Sequence, residues 1–196
     1  SKNQRIASEV CPCCKTAVIA NEGRVYVSWR QVLDGDHRHI AVASSTDGGR
    51  TFPPRTIVSD DNWQLSACPV SGAAMYARPG GELNVAWYTA GDAGQAGYYI
   101  AKTVDGGGTF GSRLFVGEGA SGTPAIIPTN ADPVLVMPGQ DEQVTIARIS
   151  DQGGSYDMQR GVLRGANPAA VFANGSIYIT FVKKENNSGT VWLAKR

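Results

Sequence analysis

Four cysteines carry the most distinctive chemistry in this sequence, and they fall in two places, Cys11-Pro12-Cys13-Cys14 and Cys68-Pro69. Three chemistries are open to them. As disulfides, four thiols allow three pairings, and complete pairing ties Cys68 to one of the first three. Such a bridge implies an oxidising compartment, periplasmic or extracellular. As a soft-metal centre, Cys11 and Cys13 point to one side of an extended chain, and a turn at Cys14 brings a third sulfur round. Cys68 then completes a thiolate set suited to copper or zinc. As a redox pair, the adjacent Cys13 and Cys14 could bond only through a strained peptide.

Other side chains could serve a site. His37 and His39, the two histidines, are alternate residues in Asp34-Gly35-Asp36-His37-Arg38-His39. Extended backbone there turns both rings to one face as a metal-ligand pair; the plainer reading is a polar loop tip. Trp63 stands just ahead of Cys68, and Trp29-Arg30 and Trp87-Tyr88 end two similar apolar stretches. Arg30, Arg38, Trp63 and Trp87 are candidates to line a substrate pocket, and the aromatics are equally suited to a core.

These residues are positioned by a repeat. Ser45-Thr46-Asp47-Gly48-Gly49-Arg50-Thr51-Phe52 recurs as Thr103-Val104-Asp105-Gly106-Gly107-Gly108-Thr109-Phe110, and in weaker form as Ile149-Ser150-Asp151-Gln152-Gly153-Gly154-Ser155-Tyr156. Each copy reads as a tight turn: a hydroxyl and an Asp to bond nearby amides, Gly where φ is positive, and an aromatic anchor. The pattern resembles the Asp-box, or BNR repeat, of sialidases and related β-propellers. The resemblance implies an all-β propeller of four-stranded antiparallel blades. In it Asp47, Asp105 and Asp151 would have structural roles in turns between third and fourth strands.

The chain then divides as one domain, 1–196, into blades at about 11–60, 66–117, 120–164 and 165–196. Residues 24–30 alternate in the two-residue period of a strand, and residues 82–89, 97–103 and 142–149 also read as strands. Asn174-Gly175 marks a hairpin. Residues 1–10 resemble the segments that follow the first two boxes, so they are expected to supply the outer strand of the last blade. That gives either four blades closed into a ring or part of a larger, six-bladed propeller whose remaining blades lie beyond this sequence or come from another chain. Aligned on their boxes, both Cys-Pro pairs precede innermost strands of neighbouring blades. They are therefore expected to face each other near the channel mouth.

Cys-Pro-Cys-Cys, a box, Asp60-Asp61-Asn62-Trp63 and Cys-Pro also resemble a group of bacterial sialidase-like propeller proteins over about residues 9–110, with Val70 where that group carries His. A sialidase would bring three arginines, a Tyr–Glu pair and an Asp acid/base to a small glycan. Arg5-Ile6-Ala7 lacks the proline of the sialidase motif, and no tyrosine comes with its motif. The glycine pattern at 117–122 runs into Thr123-Pro124 and opens no helix, so it reads as an inter-blade loop.

Composition narrows the field. Eighteen basic against seventeen acidic residues leave a net charge of +1, which argues against nucleic acid as a partner. No apolar stretch approaches the ~20 residues of a membrane helix. The expected role is binding at a cysteine-based site, with sialidase-like hydrolysis or a metal-free scaffold as alternatives.

Overall fold

A computed structural model describes residues 3–129, 132–149, 156–186 and 188–196 of the chain. Fifteen strands form four antiparallel sheets in sequence order. The first comprises β1 (Ala17–Asn21), β2 (Arg24–Leu33), β3 (His37–Ser45) and β4 (Thr56–Ile57). The second has β5 (Ala73–Ala77), β6 (Leu83–Thr89), β7 (Gly97–Thr103) and β8 (Leu114–Gly117). The third has β9 (Ala125–Ile127), β10 (Val134–Pro138), β11 (Gln143–Ile149) and β12 (Tyr156–Arg164). The fourth has three strands, β13 (Ala166–Ala173), β14 (Ser176–Glu185) and β15 (Ser188–Lys195). The architecture is a β-propeller, as the repeat implied.

Apolar side chains on facing sheets hold the blades together. Tyr26, Ile40 and Val42 of the first sheet pack with Met75, Leu83, Val85 and Trp87 of the second. Tyr98, Ile100 and Val116 then meet Leu135, Met137 and Ala147 of the third, and Val134, Val136 and Ile146 meet Ile179 and Phe181 of the fourth. Each large side chain fully buried this way contributes roughly 1.5–3 kcal/mol. The first strands run side by side, β1 against β5, β5 against β9 and β9 against β13.

Among the described residues, the first and last sheets make no comparable contact. Of residues 1–10, expected on the outer edge of the fourth sheet, residues 8–10 lie against the first sheet instead. Val10 bridges Gln31, the Cys11 amide donates to the Arg30 carbonyl at 2.9 Å, and the Val32 amide donates to the Glu9 carbonyl at 2.8 Å. The cause is strand length. β2 runs ten residues while β1 pairs with it only as far as Ser28, so the far half of β2 has an unpaired edge. Residues 9–11 satisfy that edge, and the buried Gln31 side chain pins them by donating to the Ser8 and Glu9 carbonyls. Val18, on the first sheet, and Val171, Val191 and Leu193, on the last, remain exposed.

Two of the three repeated turns are described, and they bond alike. Asp47 Oδ1 accepts from the Ser45 hydroxyl at 2.6 Å and from the Arg50 and Thr51 amides at 2.9 Å, while Oδ2 accepts from the Thr51 hydroxyl at 2.6 Å. Asp105 repeats the pattern with Thr103, Gly108 and Thr109 at 2.5–3.0 Å. Their carboxyls are held below the ordinary carboxylate range, first by the Ser45 or Thr103 hydroxyl. Phe52 and Phe110 pack against core residues, as anchors should. Asp151 lies outside the described residues.

Candidate functional site

The segments leading into β1 and β5 carry the cysteines, and because β1 and β5 are neighbours these segments meet. Gly72 permits the approach: a Cβ there would run into the Lys15 carbonyl. Ser71 Oγ donates to the Gly122 carbonyl at 2.8 Å and Ser121 Oγ to the Pro69 carbonyl at 2.8 Å, which fastens the second cysteine segment to the loop before β9.

All four sulfurs converge, lying within 4.8 Å of one another. Cys13 and Cys68 are joined as a disulfide, with their Cα atoms 6.4 Å apart. A turn, closed by the Cys14 amide on the Cys11 carbonyl at 3.3 Å, brings the Cys14 sulfur to 3.2 Å from that of Cys11. The Cys11 sulfur is in turn 3.4 Å from that of Cys13. Cys11 and Cys14 are buried free thiols, whereas the bridged pair is exposed. Burial pushes the Cys14 thiol up, as does its hydrogen bond with Cys11; the Ser71 amide and the Arg30 charge pull it down.

Arg30 sits beside this cluster and is fully buried. Its guanidinium donates to three carbonyls: Ser71 at 2.8 Å, Arg38 at 3.0 Å and Tyr88 at 2.9 Å. It also lies over the Trp63 ring, 4.9 Å from the centroid, and its charge acts on the Cys14 thiol.

The remaining candidates are arranged differently. His37 and His39 both fall in β3 instead of a loop, with ring centroids 5.9 Å apart, so they do share a face. Neither belongs to the group of four converging donors. They line a separate 540 Å³ pocket with Glu9, Asp34, Arg55 and Asp60. His39 is buried and its Nε2 has no hydrogen-bond partner; Asp60 Oδ1 is 3.5 Å away. Burial lowers its pKa, opposed by Asp60 and Asp61.

Trp87 is fully buried in the core between the first two sheets and stacked on Tyr99. Trp63 is buried against Tyr88, and Arg38 donates to the Leu65 carbonyl at 3.0 Å and pairs with Asp36. None of the four candidates for a substrate pocket is free to grip a ligand. Sequence reading passed over Asp61, which accepts from Trp87 Nε1 at 2.7 Å and is ion-paired with Arg113. Its signal was an acidic pair, Asp60-Asp61, separated by Asn62 from an aromatic, Trp63, in an inter-blade linker.

No protein-family model matches the sequence, and no curated protein matches it closely. Solved structures do resemble the fold. Bacteroides ovatus Xyloglucan PUL GH43B superimposes with a TM-score of 0.60 at 12% identity over 93% of this chain and 38% of that one. The Hadza microbial sialidase Hz136 gives 0.60 at 15% identity over 92% and 43%. The leech intramolecular trans-sialidase gives 0.57 at 14% over 90% and 30%. This chain thus spans less than half the length of each of these three. At such identity the likeness is one of fold, a propeller of the kind found in sialidases and GH43 enzymes.

Proposed function

We propose that this chain is an exported propeller-domain binding protein whose cysteine cluster takes a soft metal ion, copper or zinc. The observation that supports it is the convergence of four sulfurs from two distant segments within 4.8 Å. A structural staple needs only two of them, and a second, buried thiol pair beside it is the donor chemistry soft metals select. An exposed bridge fits a periplasmic or extracellular setting. The exposed apolar residues on the first and last sheets fit a larger propeller completed by another chain.

Elemental analysis with a free-thiol count, on protein purified without chelator, tests the reading. About one copper or zinc per chain is expected. Metal-free protein that takes up neither ion when offered it leaves a disulfide-stapled scaffold.

Hydrolysis of a small glycan is the second reading, favoured by the sialidase and GH43 fold neighbours. It requires arginines free to converge on one carboxylate, and Arg30 and Arg38 already donate to backbone carbonyls. Cleavage of a fluorogenic sialoside by the purified chain would reinstate it.

A further inference from the structure

Arg30 carries a full positive charge where solvent does not reach, at 0% exposure. Among the described residues, no carboxylate lies within ion-pair distance of it. Asp61 is the acid whose field it feels most, but the two oxygens of Asp61 are taken by Trp87 and Arg113. Three carbonyls and the Trp63 face solvate the cation without cancelling its charge. Buried charges are costly unless an opposite charge compensates them. The neighbours that can become anionic are Cys11, whose amide donates to the Arg30 carbonyl at 2.9 Å, and Cys14, whose sulfur is 3.2 Å from that of Cys11.

We propose that Cys11 and Cys14 hold copper(I) as a two-coordinate dithiolate, with Arg30 as its counter-charge and the Cys13–Cys68 bridge intact beside it. The proposal rests on the metal-binding reading above and narrows it to one ion and one ligand pair. On binding, two S–H bonds are replaced by two S–Cu bonds and both protons go to solvent; no electron is transferred. Copper(I) on two thiolates leaves one net negative charge, which Arg30 neutralises. Zinc on the same two thiolates leaves none, and zinc wants four ligands where the bridged state offers two. With metal–sulfur bonds of about 2.3 Å and the near-linear geometry of two-coordinate copper(I), the two sulfurs part from 3.2 Å to roughly 4.5 Å, a movement that side-chain rotation supplies. A 240 Å³ pocket walled by Val10, Val27 and Trp29 reaches Cys11 and gives the ion a route in.

The test titrates bridge-intact protein with copper(I), kept reduced by ascorbate, against bathocuproine disulfonate. The protein is then alkylated and weighed whole; zinc is titrated in parallel. Expected are about one copper per chain, two thiols shielded from alkylation, the bridge retained and zinc bound far more weakly. Arg30→Met weakens copper binding by about tenfold or more, and Arg30→Lys, which keeps the charge, by less. If Arg30→Met fails to fold, the wild-type preference between ions and the state of its bridge decide the matter. Zinc bound in preference, copper taken up only after the bridge is reduced, or a folded Arg30→Met with unchanged affinity overturns this proposal while leaving a metal-binding protein. Uptake of neither ion overturns both.

Discussion

Asp61 accepts a 2.7 Å hydrogen bond from the indole nitrogen of Trp87, and both side chains are at 0% exposure. The linker leaving the first blade is thereby fixed to the core of the second, and Arg113 supplies the charge that lets a carboxylate stay there. Asp61→Ala leaves Arg113 and the indole without their acceptor. A loss of about 3 kcal/mol is expected, read from urea unfolding followed by tryptophan fluorescence. Trp87→Phe, which keeps a six-membered ring but removes the N–H donor and leaves a cavity where the five-membered ring stood, should lose about 1–3 kcal/mol.

The bridge between Cys13 and Cys68 closes a loop with a sequence separation of 55. Replacing both residues with Ala frees that loop in the unfolded chain, and chain-entropy reasoning gives a cost of about 4 kcal/mol. The denaturation midpoint should fall, and the slope should rise as the unfolded chain loses its cross-link and exposes more surface. A midpoint equal to that of the wild type would mean that the bridge contributes no constraint.

Asp47 and Asp105 are both held below their ordinary titration range by hydroxyl and amide donors. A carboxylate depressed in the folded state stabilises it above the unfolded pKa, near 3.9, and that contribution is lost as pH falls through the depressed folded value. Acid titration followed by near-ultraviolet circular dichroism should therefore show the fold holding through pH 4 and weakening below it. Asp105→Asn should lose stability at neutral pH and show a flatter acid dependence than the wild type.

His39 runs in the same direction for a different reason. Burial disfavours its charged form, with Asp60 and Asp61 opposing the shift and His37 and Arg30 adding to it. The unfolded chain therefore takes up a proton more readily than the folded one. Stability is complete above the unfolded pKa of about 6.5 and declines as pH drops below it. Urea midpoints at pH 8 and pH 5.5 should differ in the wild type, and His39→Gln should reduce that difference.

Much of this fold could be read from residue patterns, because its elements are local. The turns at Asp47 and Asp105 specify their own hydrogen bonds, and the two-residue period of 24–30 and the Asn174-Gly175 turn place strands within a few residues of where they lie. The meeting of Cys68 with the earlier cysteines was legible too, since equal distances from equivalent turns put both before neighbouring inner strands. The state of Arg30 was not. Its burial depends on carbonyls of Ser71, Arg38 and Tyr88 that only the assembled blades bring together. The path of residues 9–11 was misread for a related reason: similarity to an outer strand carried no information about the length of β2, whose spare edge captured them.

Because each sheet packs on its neighbours in the sequence and, among the described residues, the first and last sheets make no comparable contact, cohesion within these residues runs along a line and not round a hoop. Among the described residues the third blade is flanked on both sides and the fourth on one, and the fourth shows three strands with Val171, Val191 and Leu193 facing water. Fluctuations that peel β13–β15 away need not disturb the cysteines at the other end, so the molecule can fray at its tail while its sulfur-bearing head stays whole.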